Sequence, residues 1–78
     1  MKINNLNIFR RHGFTWIIEG SKFTDEKYNI SNYLKSVNIE HQLSWYPYSY
    51  EDFLIFNTKE DEAQFILAME SYNESKRY

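Results

Sequence analysis

The sequence contains no cysteine, one proline and two glycines among its 78 residues. The absence of cysteine excludes a disulfide framework, a thiol nucleophile and every cysteine-based metal site. Two glycines are too few to build a glycine-rich phosphate loop, and two histidines leave little material for a zinc site. No apolar run approaches the roughly 20 residues that span a bilayer, and residues 1–7 are too polar for a signal-peptide core. We therefore expect one small cytoplasmic domain over residues 1–78, with a frayed polar tail at 73–78.

Aromatic residues are abundant instead, at 19% of the chain. A core of this size does not need so many rings, so we expect several of them at the surface. Residues 1–38 carry six bases and three acids, whereas residues 39–78 carry three bases and eight acids, and the net charge is −2. This overall acidity disfavours non-specific nucleic-acid binding, which depends on clustered cations.

Four segments predict β-strands: residues 6–10, 14–19, 39–46 and 53–56. Each is rich in β-branched and aromatic residues, which either alternate with polar residues or form a continuous apolar run. Gly13 lies between the first two segments, which indicates a hairpin over residues 6–19. Pro47 ends the third segment, because proline has no N–H to give to a sheet. The fourth segment is continuously apolar, as expected for a strand in the middle of a sheet.

Two segments predict helices, at residues 25–37 and 59–72, because their apolar residues recur at a spacing of three and four. Asn38 is suited to end the first helix, since asparagine tolerates the left-handed conformation. Asn57 or Thr58 is suited to cap the start of the second.

The order of elements, β-β-α-β-β-α, contains the β-α-β-β-α part of a split βαβ unit of the ferredoxin-like kind. The N-terminal strand takes the place of the fourth strand that this unit lacks. We therefore predict an α+β fold with a four-stranded, mostly antiparallel sheet and two helices on one face. The expected core contains five large rings: Trp16, Trp45, Phe53, Phe56 and Phe65.

The residues that could serve catalysis are few. His12 is predicted in a turn, and His41 shares a strand face with Leu43 and Trp45, so we interpret His41 as a partly buried structural histidine. The acidic series at residues 60–62 fans around a helix and favours the helix start electrostatically. We therefore expect no enzyme activity, no cofactor and no metal.

The segment 45–50 is the most informative, because it places four aromatic residues around Pro47 and these cannot all face one core. Tyrosine and tryptophan are enriched at binding hot spots. The segment and the two acids after it predict an aromatic-acidic surface that binds a protein partner through its basic patch: Tyr46, Tyr48, Tyr50, Glu51 and Asp52. The alternative interpretation is that the tyrosines cover helix or sheet edges.

The sequence thus favours a small, non-enzymatic protein-binding module that inhibits or modulates a host macromolecular machine. Its size, its acidity, its aromatic content and its bias towards amino acids with AT-rich codons resemble those of phage and mobile-element accessory proteins. This is a general similarity, and no sequence motif supports it. The alternative is a small RNA- or DNA-binding domain that uses the sheet face and the turn with Arg10 and Arg11, aided by Lys22. A third hypothesis is a homodimer whose aromatic residues form the interface. No membrane partner is expected.

Overall fold

The computed structural model describes residues 1–3, 5–45 and 47–75. Its elements in chain order are β1 (Lys2–Ile3), β2 (Leu6–His12), β3 (Thr15–Glu19), a 3₁₀ helix (Ser21–Phe23), α1 (Glu26–Ser36), β4 (Gln42–Trp45), β5 (Glu51–Ile55) and α2 (Lys59–Ser75). The predicted α+β class, with an antiparallel sheet and two helices, is confirmed.

The sheet has the strand order β1-β2-β3-β5-β4, and each neighbouring pair is antiparallel. It therefore has five strands and not the four that we predicted. The additional strand, β1, has only two residues and so has no period that a sequence pattern could reveal. It turns back along β2 through Asn5, whose φ of 72° lies in the left-handed region that asparagine tolerates.

The predicted hairpin over residues 6–19 is formed by β2 and β3, with Ile8 opposite Ile18 and Arg10 opposite Trp16. The apolar segment at 53–56 is also confirmed as an interior strand, because β5 pairs with β3 on one side and β4 on the other. Since β3 and β4 are both antiparallel to β5, they run parallel to each other, and α1 connects them. The fourth strand, β4, is shorter than predicted and forms one edge of the sheet.

Both helices begin and end close to the predicted residues. In α1, Asn38 has a φ of 62°, and the N–H groups of Asn38 and Ile39 donate to the carbonyls of Lys35 and Leu34, which ends the helix in the Schellman manner. At the start of α2, the hydroxyl of Thr58 accepts the Asp61 N–H at 3.1 Å. This helix continues to Ser75, so residues 73–75 are helical rather than frayed, and the rest of the predicted tail lies outside the described residues.

One buried cluster joins the two helices to a single face of the sheet; it includes Ile8, Trp16, Ile18 and Leu54 from the strands and Ile30, Leu34, Phe65 and Met69 from the helices. The side chains that alternate with them point to the opposite face, where Phe9, Ile17 and Phe53 lie side by side in register. The predicted core is therefore wrong in two places. Phe53 is only half-buried, on this second face. Trp45 is 68% exposed, because it lies at the end of the edge strand β4, beyond the buried cluster.

Within residues 1–3, 5–45 and 47–75, no helix is long and apolar enough to cross a membrane.

Candidate functional site

A cleft of about 550 Å³ lies where the edge strand β4 faces the first turn of α1. The 3₁₀ helix and the β4–β5 turn close one end of it, because both lie at the end of the sheet where β3 stops and β5 starts. We call it the aromatic cleft; its lining residues are Lys22, Lys27, Tyr28, Leu43, Trp45, Pro47, Ser49, Glu51 and Asp52.

Two rings that line the aromatic cleft, and three others on the neighbouring segments, are strongly exposed. We call these five the rim rings: Phe23 (76% exposed), Tyr28 (53%), Trp45 (68%), Tyr48 (87%) and Tyr50 (60%). Phe23 and Tyr50 stack on each other with their centroids 5.0 Å apart, although one follows β3 and the other precedes β5. Large apolar groups are rarely gathered at a surface without a role, so this end of the molecule is the candidate site.

Two ammonium groups accompany these rings. The Nζ atom of Lys22 lies 5.4 Å from the centroid of the Tyr50 ring, and that of Lys27 lies 5.1 Å from the centroid of the Tyr28 ring. Each cation is therefore within the range in which the ring face attracts it. These contacts hold the flexible lysine side chains against the walls of the aromatic cleft.

Asp52 forms the polar floor of the aromatic cleft and is only 4% exposed. Its Oδ2 atom accepts a hydrogen bond from the Ser21 hydroxyl and lies 3.1 Å from the Nζ atom of Lys27. A buried carboxylate needs such partners, because an uncompensated charge is costly away from water. Asp52 thus ties the 3₁₀ helix and α1 to β5, and its part in the site is to hold Lys27 rather than to meet a partner's cation directly.

The other residues predicted to bind a partner lie as follows. Tyr48 and Tyr50 are exposed on the rim, and Glu51 is half-buried and lines the aromatic cleft. Tyr46 lies outside the described residues. The structure therefore brings Tyr48 and Tyr50 to the same site with Asp52 beneath them, whereas Glu51 borders the cleft from a position whose side chain faces the other side of the sheet.

Sequence reasoning missed several residues of the site. The sequence pattern predicts Trp45 in the core and indicates no role for Phe23, Lys27 or Tyr28. One signal was available, because Tyr28 lies off the apolar stripe of α1 that carries Ile30, and a ring on the polar side of a helix has no core to fill. Lys22, a predicted nucleic-acid contact of the alternative function, lines the aromatic cleft.

The two arginines predicted to contact nucleic acid lie at the other end of β3 from Lys22, so the three cations do not form one patch. The guanidinium of Arg10 pairs with the carboxylate of Glu62 on α2, with Nε 3.1 Å from Oε2. The same Oε2 accepts a hydrogen bond from Trp16 Nε1 at 2.9 Å. Arg10 therefore joins the hairpin to α2, whereas Arg11 is exposed near the hairpin turn.

The half-buried His41 has two internal partners, as expected for a structural histidine. Its Nδ1 atom lies 2.9 Å from the Ile39 carbonyl and so donates to it, which leaves Nε2 to accept from the Ser31 hydroxyl at 2.7 Å in the neutral ring. In the part of the chain that the structure describes, no three His, Cys, Asp or Glu side chains come together in a way that could hold a metal ion.

A scan against protein-family models, a search of curated proteins and a search of solved structures each found no match to this chain.

Proposed function

We propose that this chain is a non-enzymatic protein-binding module and that the aromatic cleft with its rim rings is the docking surface. The observation that carries the proposal is the gathering of five exposed rings around one cleft. Tyrosine and tryptophan contribute large contact areas with few rotatable bonds, so little entropy is lost when they dock.

The interior of the fold supports this proposal, because it is complete without the rim rings. The buried ring of Phe65 packs against Trp16 with centroids 5.2 Å apart and against Phe56 at 4.7 Å. Tyr72 packs against Tyr33 at 5.2 Å. The rim rings are therefore not needed to fill the core. Exposing so much apolar surface to water is unfavourable, which favours a role for these rings in binding.

The charge of the site changes the kind of partner that we propose. The sequence favoured an aromatic-acidic surface, yet Asp52 is buried under Lys27, and Lys22 lies in the same cleft. The surface is thus aromatic, with the exposed Lys22 as its cation and with Lys27 paired to Asp52, whereas the Glu51 side chain lies on the other face of the sheet, opposite Glu19. It suits a partner that offers apolar side chains and a negative group, rather than a strongly basic one.

The biological setting that we propose is unchanged from the sequence. A small accessory protein of the phage or mobile-element type that modulates a host machine would act sterically, by filling a groove or covering a segment of its partner. The ferredoxin-like relationship also stays part of the proposal, and its support is the interleaved order of β3, β5 and β4.

A second candidate function is single-stranded RNA binding on the open face of the sheet. It is favoured by Phe9, which is 41% exposed on that face beside the buried Ile17 and the half-buried Phe53, since exposed rings on a sheet can stack on bases. Glu19 and Glu51 form the next pair on that same face, and two carboxylates repel a phosphate backbone. We therefore rank RNA binding second. If the chain retains single-stranded RNA and Phe9→Ala abolishes that retention, RNA binding becomes the first candidate.

The test of the proposed function uses a displayed library of random dodecapeptides selected against the purified chain. Trp45→Ala and Tyr50→Ala should each weaken the selected peptides by about 2 kcal/mol, or roughly 30-fold, as expected for hot-spot rings. The matched control is Leu67→Ala, because Leu67 is 59% exposed on α2 and is not among the residues that line the cleft. The thermal midpoint should stay nearly constant in all three variants.

Two outcomes would contradict the proposal. If Trp45→Ala and Tyr50→Ala lose stability in proportion to binding, the rings are structural cover. If the selected peptides are affected only by Leu67→Ala, the docking surface lies on α2.

A further inference from the structure

The outer edge of β4 is open. The sheet order ends at this strand, so no other strand among the described residues pairs with its outer side. Natural proteins protect such edges with lysine, proline, a bulge or a covering element. The four residues Gln42–Trp45 include neither lysine nor proline, and their pairing with β5 runs in continuous register.

The open edge and the aromatic cleft are adjacent. Leu43 and Trp45 alternate with Ser44 along β4. Leu43 and Trp45 therefore share one face, the helix side of the sheet, and both line the aromatic cleft. A strand added to β4 would lie about 4.8 Å outside it. Every second side chain of that strand would then project beside Leu43 and Trp45, towards the first turn of α1.

We propose that β4 accepts an extended segment of a partner protein as a sixth strand, with its alternate apolar side chains in the aromatic cleft and a carboxylate beside Lys22. This inference rests on the proposed function and gives its binding mode. Strand addition to a sheet edge combines backbone hydrogen bonds, which supply affinity, with pockets for alternate side chains, which supply specificity.

Charge complementarity identifies the position of the carboxylate. Lys27 is already neutralised by Asp52 at 3.1 Å. Within the described residues, no carboxylate lies at ion-pair distance from Lys22, whose Nζ contacts the Tyr50 ring. Lys22 is therefore the cation that a partner's acid can pair with, and it lies near the end of β4 that carries Trp45.

The orientation of the added strand follows from the sheet. Each pair of neighbouring strands is antiparallel, so we assign the same direction to the incoming segment. Its acidic residue then lies at its N-terminal end, and apolar residues follow at every second position. A second copy of this chain is a poorer occupant, because β4 offers four residues, whereas a stable interface uses about 20 residues a side.

The probe is the synthetic peptide acetyl-Glu-Thr-Val-Thr-Val-Thr-amide, in which the acid and the valines share one strand face. Two N-methylated forms accompany it, one methylated on the odd residues and one on the even residues, and each blocks a single edge of the peptide. Binding is followed by the emission of Trp45, which is exposed whereas Trp16 is buried, and by the amide resonances of residues 42–45.

We expect the parent peptide to bind, one N-methylated form to lose at least about tenfold in affinity and the other to retain it, because only one edge pairs with β4. Lys22→Glu should weaken the parent peptide up to about fivefold, and a peptide with Lys in place of Glu should recover the loss. Lys59→Glu is the control, because Lys59 is exposed and follows the opposite end of β5.

Three results would overturn the inference. Equal affinity of the two N-methylated forms would show that only side chains bind, which leaves the proposed function standing. If the peptide fails to bind while library-selected peptides still depend on Trp45 and Tyr50, strand addition is rejected and the proposed docking surface stands. If sedimentation shows a dimer of the chain, and substitutions in β4 abolish that dimer, the open edge of β4 binds a second copy of this chain and not a partner's strand.

Discussion

Arg10 and Arg11 are neighbours in the sequence, and the structure predicts opposite consequences for their removal. Arg10 reaches α2 and pairs with Glu62, which also accepts the Trp16 indole N–H. Arg11 is exposed near the hairpin turn. The variants Arg10→Ala and Arg11→Ala therefore remove the same positive charge, but Arg10→Ala also removes the ion pair with Glu62 and the hydrogen bond that Arg10 Nε donates to the Gly13 carbonyl at 2.9 Å.

The size of the effect follows from the exposure of the two partners. The Arg10 side chain is 53% exposed and the Glu62 side chain is 7% exposed. Exposed ion pairs contribute about 0–1 kcal/mol, whereas removing one partner of a buried pair costs about 3–5 kcal/mol. Since only the carboxylate is shielded from water, we expect Arg10→Ala to lower the free energy of unfolding by about 2 kcal/mol. Arg11→Ala should change it by less than about 0.5 kcal/mol.

Urea unfolding followed by circular dichroism measures both variants, and the thermal midpoint of Arg10→Ala should fall by about 8 to 16 °C. Adding Glu62→Gln to Arg10→Ala should recover part of the loss, because the buried charge that lacks its partner is then removed. Equal stability of the two arginine variants would refute this reasoning. A loss for Arg10→Ala that Glu62→Gln does not relieve would show that the buried carboxylate is not its cause.

Two further predictions concern the core and its pH dependence. Phe56 is 2% exposed, so Phe56→Ala should lower the free energy of unfolding, measured in urea, by about 3–5 kcal/mol. The control Phe23→Ala changes a ring that is 76% exposed and should lower it by less than about 0.5 kcal/mol. A loss below about 1 kcal/mol for Phe56→Ala would show that this ring is not central to the core. Burial, aided by a hydrogen bond to the Glu26 carboxylate, raises the pKa of Tyr72 above its ordinary value of 10.0. Because the folded chain then holds the phenol proton more tightly than the unfolded chain, the stability that Tyr72 contributes is present below pH 10.0 and is lost as the pH rises further. The alkaline decline in the thermal midpoint should therefore be shallower in Tyr72→Phe than in the natural chain, and parallel declines would contradict the assignment.

The features that the sequence predicts well are those set by local interactions. Thr58 caps α2 because its own hydroxyl reaches an N–H three residues ahead, and Asn38 ends α1 because asparagine accepts a positive φ. The alternation over residues 14–19 likewise determines which side chains of β3 share a face. By contrast, β1 consists of only two residues and depends on pairing with β2, so nothing in its own sequence marks it as a strand.

The buried Glu62 illustrates a second limit. Its position in an acidic series at a helix start favours a solvated role, and Glu60 in the same turn is indeed exposed. Glu62 is buried because β2 and β3 bring Arg10 and Trp16 to the same side of α2. Such a partner is more than 45 residues away along the chain, and no local pattern reveals it.

Trp45 shows why the candidate site was only partly predictable. Period-2 alternation correctly assigns Leu43 and Trp45 to the helix side of the sheet. Whether that side is covered depends on where the edge of the sheet lies and where α1 begins, and both are set by pairing between distant segments. Trp45 lies at the end of the edge strand, beyond the buried cluster, and so it is exposed. The same two causes leave the backbone of β4 open and form the aromatic cleft beside it. The place where the burial pattern fails is therefore the place where an incoming strand would find both a free edge and a cleft for its side chains.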